Sequence, residues 1–261
     1  MQSILTTTLE ENGILVLTLN CPEKLNVMNA ATLQGLHQAV IEAKDNKAIK
    51  AILLTGTGKA FSAGADISQF PALNAVTGYE FAKRGQDIFR SLEQCGKPSL
   101  AAINGYAFGG GCELILSTSI RIAATNAMFA QPEVKLGLIP GYGGSQRLAR
   151  LVGKGRAIDL CITGRAIKAD EALTWGLITE VTEPEKLVDR AKEILSNIIA
   201  LPAKAVSSAL AVIDAGYDLS LEEALHLEAL HFGLCCSTKD KQEGVNAFLE
   251  KRAAKFVGED V

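Results

Sequence analysis

Two glutamates stand where a carboxylate is seldom found without a task. Glu113 follows Gly109-Gly110-Gly111-Cys112 and is followed by Leu114, Ile115 and Leu116, while Glu133 follows Pro132 at the end of a strand-like run. A carboxylate among apolar side chains needs a partner or a use, because its charge is costly to bury. The plainer account of Glu113, a first-turn acid that complements a helix dipole, suits exposed helices and is weakened by these neighbours. Two such carboxylates could divide the roles of acid and base. Their separation of twenty residues permits a helix, a short strand and a return between them, but spacing alone does not decide whether they converge.

Two glycine-rich segments accompany them. AFSAGADI, residues 60–67, follows an apolar strand and the turn Thr-Gly-Thr-Gly, and its small side chains leave backbone amides open to a ligand oxygen. A simple tight strand-to-helix turn explains this segment about equally well. NGYAFGGGCEL, residues 104–114, follows another strand and reads as a turn into a buried helix, whose N-terminal amides and positive dipole end suit an oxygen that becomes negative. A third cluster, Gly141, Gly143 and Gly144, forms a turn before a helix from Ser145. Neither GxGxxG nor GxxxxGK[ST] is present, so these glycines do not read as a nucleotide site. The histidines, His37, His226 and His231, make no metal pattern, and neither GxSxG nor a Cys with a nearby activating His occurs.

The elements that must position these groups follow from periodicity. Runs of branched apolar residues at 14–19, 51–55, 99–103, 120–123 and 177–181 predict strands, and helical patterns lie at 31–43, 79–94 and 166–175, the last stopped by Gly176. The alternation implies an α/β class. From about Thr182 only helical patterns follow, four in number, with capping-box signals at Thr182 to Glu185 and Ser220 to Glu223. Pro202 interrupts the pattern, which divides the chain into a catalytic core, 1–201, and a helical region, 202–261.

Composition sets the outer bounds. With 261 residues, 48% hydrophobic, 21% charged and a net charge of −3, the chain is an ordinary globular protein able to bury a large core. The six cysteines lack CxxC spacing and read as buried thiols in a reducing compartment. No basic residue precedes the first apolar run and no stretch is long and pure enough to span a membrane, which together predict a soluble, cytoplasmic protein. Residues 79–97 mix four basic with three acidic side chains, the pattern of a solvated helix face rather than of a nucleic-acid surface.

AFSAGADI, AAINGYAFGGGCEL and FAQPEVKLGLIPGYGGSQRL, in this order and followed by GRAIKADEALTWGLITEV, resemble the crotonase superfamily, most closely its short-chain enoyl-CoA hydratases. The likeness runs from PEKLNVMN at 22–29 to LEKRAAKF at 249–256. It implies a spiral of ββα units with a C-terminal helical region that builds homotrimers or homohexamers and helps close the site. It implies a hydro-lyase of lipid metabolism, adding water syn to a trans-2-enoyl-CoA to give a 3-hydroxyacyl-CoA, with no cofactor beyond the coenzyme A of the substrate. The family's oxyanion hole maps onto the amides of Ala65 and Gly110, with Gly141 in support. Its catalytic pair maps onto Glu113, which orients and deprotonates water, and Glu133, which protonates the α-carbon. Lys24, Leu25, Ala63, Asp66 and Ile67 resemble residues that line the CoA nucleotide. Two positions depart from the pattern: Ser117-Thr118-Ser119 stands where an aspartate is common, which puts a structural hydrogen bond in doubt, and Cys21 stands where an arginine is frequent. An isomerase on the same scaffold, using mainly one glutamate, and an RNA-binding relative are the competing readings.

Overall fold

The computed structural model describes residues 4–258. Residues 1–3 and 259–261, the outer ends of the two expected regions and the start of the N-terminal segment, lie outside the described residues. The chain runs β1 (Leu5–Leu9), β2 (Ile14–Leu19), α1 (Ala30–Asp45), β3 (Ala51–Gly56), β4 (Ala60–Ser62), α2 (Ala75–Glu93), β5 (Ser99–Ile103), β6 (Tyr106–Phe108), α3 (Gly110–Leu116), β7 (Ile120–Ala124) and β8 (Met128–Ala130). It continues with α4 (Gly144–Val152), α5 (Lys154–Thr163), β9 (Ala166–Lys168), α6 (Ala169–Thr174), β10 (Glu180–Thr182), α7 (Leu187–Ile199), α8 (Ala203–Gly216), α9 (Leu221–Cys236) and α10 (Lys239–Leu249).

Three passages of the chain repeat one plan. β3, β5 and β7 enter a six-stranded sheet of order β1-β2-β3-β5-β7-β10, and β4, β6 and β8, each following at once, enter a four-stranded sheet of order β4-β6-β8-β9. A helix then returns the chain, which gives the spiral of ββα turns. Pairing is parallel except for β1 and β9 at the sheet edges. The central strands of the larger sheet are mostly apolar because both faces are covered, and their polar members Thr55, Ser99 and Arg121 are buried with hydrogen-bond partners. Ile52 and Leu54 of β3 enter the main core with Ala101 and Ile103 of β5, whereas Leu53, Leu100 and Ile122 point the other way against Leu187, Ala191 and Leu195 of α7.

The expected strands at 14–19, 51–55, 99–103 and 120–123 are present. Three other expectations are corrected. The strand expected at 177–181 lies at Glu180–Thr182; Leu177 and Ile178 are apolar because they are buried after α6. The helix expected over 166–175 is helical only at Ala169–Thr174, since Ala166–Lys168 pairs antiparallel with β8 and buries Ile167. Thr182 ends β10 rather than capping a helix, and α7 starts at Leu187 without a side-chain cap. The box at Ser220 forms, with its hydroxyl accepting from the Glu223 amide. Where an aspartate was missed in the sequence, buried Arg121 donates instead to the carbonyls of Thr118 and Leu177.

The start of α3 is pressed against the end of β4. A Cβ built on Gly111 would lie 2.3 Å from the Ser62 carbonyl oxygen, so no larger residue fits without moving backbone. Gly111→Ala is therefore expected to destabilise the fold by about 2 kcal/mol or more. A urea midpoint equal to that of the wild type would show that the contact yields freely.

Candidate active site

Glu113 sits in the first turn of α3 and is 2% exposed. The position follows from the local sequence: Gly109 takes φ of +50°, the chain turns sharply, and Cys112 and Leu114 to Leu116 pull the helix into the core. One carboxylate oxygen, Oε1, accepts hydrogen bonds from the amides of Tyr142 at 2.8 Å and Gly144 at 2.7 Å. Glu133 lies in a 3-10 helix, Pro132–Leu136, after β8. β8 pairs with β6 beside the start of α3, and a Cβ on Gly109 would come within 2.9 Å of Glu133 Oε1. The two glutamates thus meet at one helix start.

Their electrostatics follow from that placement. Burial pushes Glu113 up to about 7, the nearby charge of Glu133 pushes the same way, and the amides of Gly144 and Tyr142 oppose both. Burial likewise raises Glu133 to about 7. Near neutral pH the pair holds about one proton between two sites, the condition for one group to accept while the other donates.

The amides of Ala65 and Gly110 come close together, since a Cβ on Gly110 would lie 3.2 Å from the Ala65 nitrogen. The neighbouring groups are engaged: Met28 N donates to Gly64 O at 2.8 Å and Asp66 N to Met28 O at 2.9 Å. Neither Ala65 N nor Gly110 N donates to a protein acceptor among the described residues. Gly110 also carries the positive end of α3, so the two amides form a small electropositive concavity beside the glutamates.

Among the described residues the Gly141 amide donates to neither glutamate; its carbonyl instead accepts from Gln86 Nε2 of α2 at 2.9 Å. This bond helps clamp the loop that supplies the Tyr142 and Gly144 amides. Arg147 joins in, donating to Tyr142 O at 2.9 Å while paired with Glu93, and the Tyr142 ring packs against Gly85, Phe81 and Phe89. Buried Gln131, with its amide nitrogen turned toward Glu133, donates to that carboxylate at 3.2 and 3.3 Å. Gln131 and Tyr142 are not among the expected site residues, and Gly144 is expected only as part of a glycine turn. Gln131 carries a usable signal, a polar residue beside Pro132-Glu133 after an apolar strand, whereas nothing in the identity of Tyr142 or Gly144 announces an amide aimed at Glu113.

Beside Ala65 opens a cavity of about 850 Å³ lined by Lys24, Ala63, Asp66 and Ile67 together with Cys21 and Glu23. Leu25 is not part of its lining; it holds the wall from behind, in a left-handed turn at φ of 50°, by accepting from the Ala63 amide at 2.9 Å. Cys21 donates its thiol to Glu23 at 2.7 Å.

The spiral α/β fold thus joins two main-chain amides to one buried and one half-buried carboxylate, the parts of a site for general acid–base chemistry beside an oxygen that gains negative charge. Residues 9–259 match the family model "Enoyl-CoA hydratase/isomerase", and the chain belongs to that family. It is 45% identical over 244 residues to the short-chain-enoyl-CoA hydratase of Clostridium acetobutylicum, covering 93% of this chain and 94% of that one. It is 44% identical to the crotonyl-CoA hydratase of Syntrophomonas wolfei, covering 95% and 96%. Among solved structures, the enoyl-CoA hydratase of Bacillus anthracis superposes with a TM-score of 0.93 at 35% identity, covering 98% and 100%.

Raised carboxylate pKa values also tie the site to stability. A carboxyl that titrates near 7 when folded and near 4.5 when unfolded favours the fold fully below pH 4.5, and that contribution is lost as pH rises through about 7. Glu113→Gln keeps the acceptor oxygen and removes the charge. At pH 8 it should be more stable than the wild type by about 2 kcal/mol, the difference shrinking toward pH 5. Denaturant midpoints at the two pH values test this, and a gap that is constant or widens on acidification would contradict the buried-charge account.

Proposed function

We propose that the protein is an enoyl-CoA hydratase that adds water to a trans-2-enoyl-CoA and gives the 3-hydroxyacyl-CoA. The observation that carries the reading is the meeting of buried Glu113 and half-buried Glu133, both raised to about 7, with two unengaged main-chain amides at the start of one helix. The names of the two bacterial relatives support it.

In this reading the thioester oxygen sits between the amides of Ala65 and Gly110. Its bonds to them strengthen as negative charge develops, which draws electrons from the β-carbon. Glu113, fixed by two amides through one oxygen, holds a water with the other and takes a proton from it as the oxygen joins the β-carbon. Glu133 gives its proton to the α-carbon, so one water is added, and a proton passes from Glu113 to Glu133 to reset the pair. The reaction uses no group beyond the coenzyme A of the substrate, whose nucleotide occupies the cavity lined by Lys24, Ala63, Asp66 and Ile67. Leu25 contributes by shaping that wall.

Residues 202–261 serve assembly in the same proposal. Leu221 is 75% exposed, Phe232 71% and Phe248 84%, and no residue of α9 is buried. Apolar faces of this kind are covered when copies of a chain pack together. Light scattering at micromolar concentration should report a trimer or a pair of trimers; a monomer would contradict this part.

The chemistry is tested by charge removal. Glu113→Gln and Glu133→Gln should each lower hydration by roughly 100- to 10,000-fold, because each removes a proton acceptor or donor with little change of shape. Hydration destroys the conjugation of the double bond with the thioester, so ultraviolet absorbance falls. Absorbance that instead rises with a 3-enoyl-CoA and stays flat with a 2-enoyl-CoA would replace the hydratase by an isomerase.

A further inference from the structure

A second cavity, of about 890 Å³, lies where the end of α1, the turn before β5, the end of α7, the start of α8 and the chain after α10 meet. It shares no lining residue with the cavity beside Ala65. Lys44, Lys47, Lys50, Lys97 and Lys204 line it, and its one lining carboxylate is Asp240. That carboxylate is already committed: Asp240 is 4% exposed and its two oxygens accept from the amides of Val257 at 2.8 Å and Gly258 at 3.0 Å. None of the five lysines takes part in an ion pair among the described residues.

Five cations around one concavity repel each other, and a multivalent anion relieves that repulsion. α8 adds to the same field, since Ala203 and Lys204 line the cavity and Pro202 offers no side-chain cap to the first helical amides. Apolar surface is also present in the wall, from Ile198, Leu201, Val206 and half-buried Phe256. The volume falls in the range of small-molecule sites, about 300–1,000 Å³, which accommodates a ligand of nucleotide size. We propose that this cavity is a second ligand site, which takes a nucleoside diphosphate: the phosphates among the lysines and the base against the apolar wall.

The probe is ADP, titrated calorimetrically into the full protein at low and at physiological salt. Saturable binding is expected, weaker at the higher salt. Lys44→Gln combined with Lys47→Gln should weaken it roughly tenfold or more, while turnover of a 2-enoyl-CoA stays unchanged. Should that pair lower the melting temperature markedly, Lys97→Gln with Lys204→Gln is expected to give the same loss. ADP is also part of coenzyme A, so a kinetic arm separates the cavities: ADP at several times its Kd should leave KM for the 2-enoyl-CoA as it was. The proposal is overturned if ADP does not bind saturably, if both lysine pairs leave its affinity unaltered, or if it competes with the acyl-CoA. It is equally overturned if a single-stranded RNA binds through these lysines and ADP does not displace it.

Discussion

The site depends on one close approach of backbone to backbone, where the glycines opening α3 lie against the end of β4 and the residues that follow it. Gly111 rests on the Ser62 carbonyl, and the Gly110 backbone reaches the amide of Ala65. Side chains at these points would hold the segments apart and separate the two amides. The spiral supplies the geometry, because β4 and β6 are parallel neighbours in the smaller sheet and each is followed by a turn at the same edge.

Burial at this junction works in two directions. It excludes water from the carboxylates, which raises their affinity for protons, and it makes each hydrogen bond to them stronger. The amides of Tyr142 and Gly144 temper the first effect at Glu113 and fix one of its oxygens, leaving the other to act. The loop that carries these amides owes its position to α2, through Gln86, Gly85 and the Glu93–Arg147 pair. A helix remote in sequence from Glu113 therefore shapes its proton affinity.

Much of the scaffold was legible in the sequence for a definite reason. Strands covered on both faces are built mostly of apolar residues, so 14–19, 51–55, 99–103 and 120–123 stand out as branched apolar runs. The glycine triplet before Glu113 announced α3 in the same way. The smaller sheet was not legible, because β4, β6, β8 and β9 have three residues each, too few to show a period. Residues 166–168 were absorbed into a helical pattern because Ala-Asp-Glu-Ala-Leu directly follows them. The glutamates could be picked out by their apolar settings, yet their meeting depends on sheet pairing that spacing does not encode. The amides that hold Glu113 belong to the backbone, and a backbone donor leaves no trace in side-chain identity.

That last point bears on how such a protein can change over generations. The donors of Ala65 and Gly110 are main-chain groups, so most codon changes leave the chemical group intact and alter it only by disturbing shape. Glu113 and Glu133 are side chains, each open to replacement by a single substitution. On the proposed mechanism, heritable variation can therefore revise the proton chemistry while the polarising amides persist, and a lineage built on this framework can acquire a different reaction without rebuilding its means of holding an acyl oxygen.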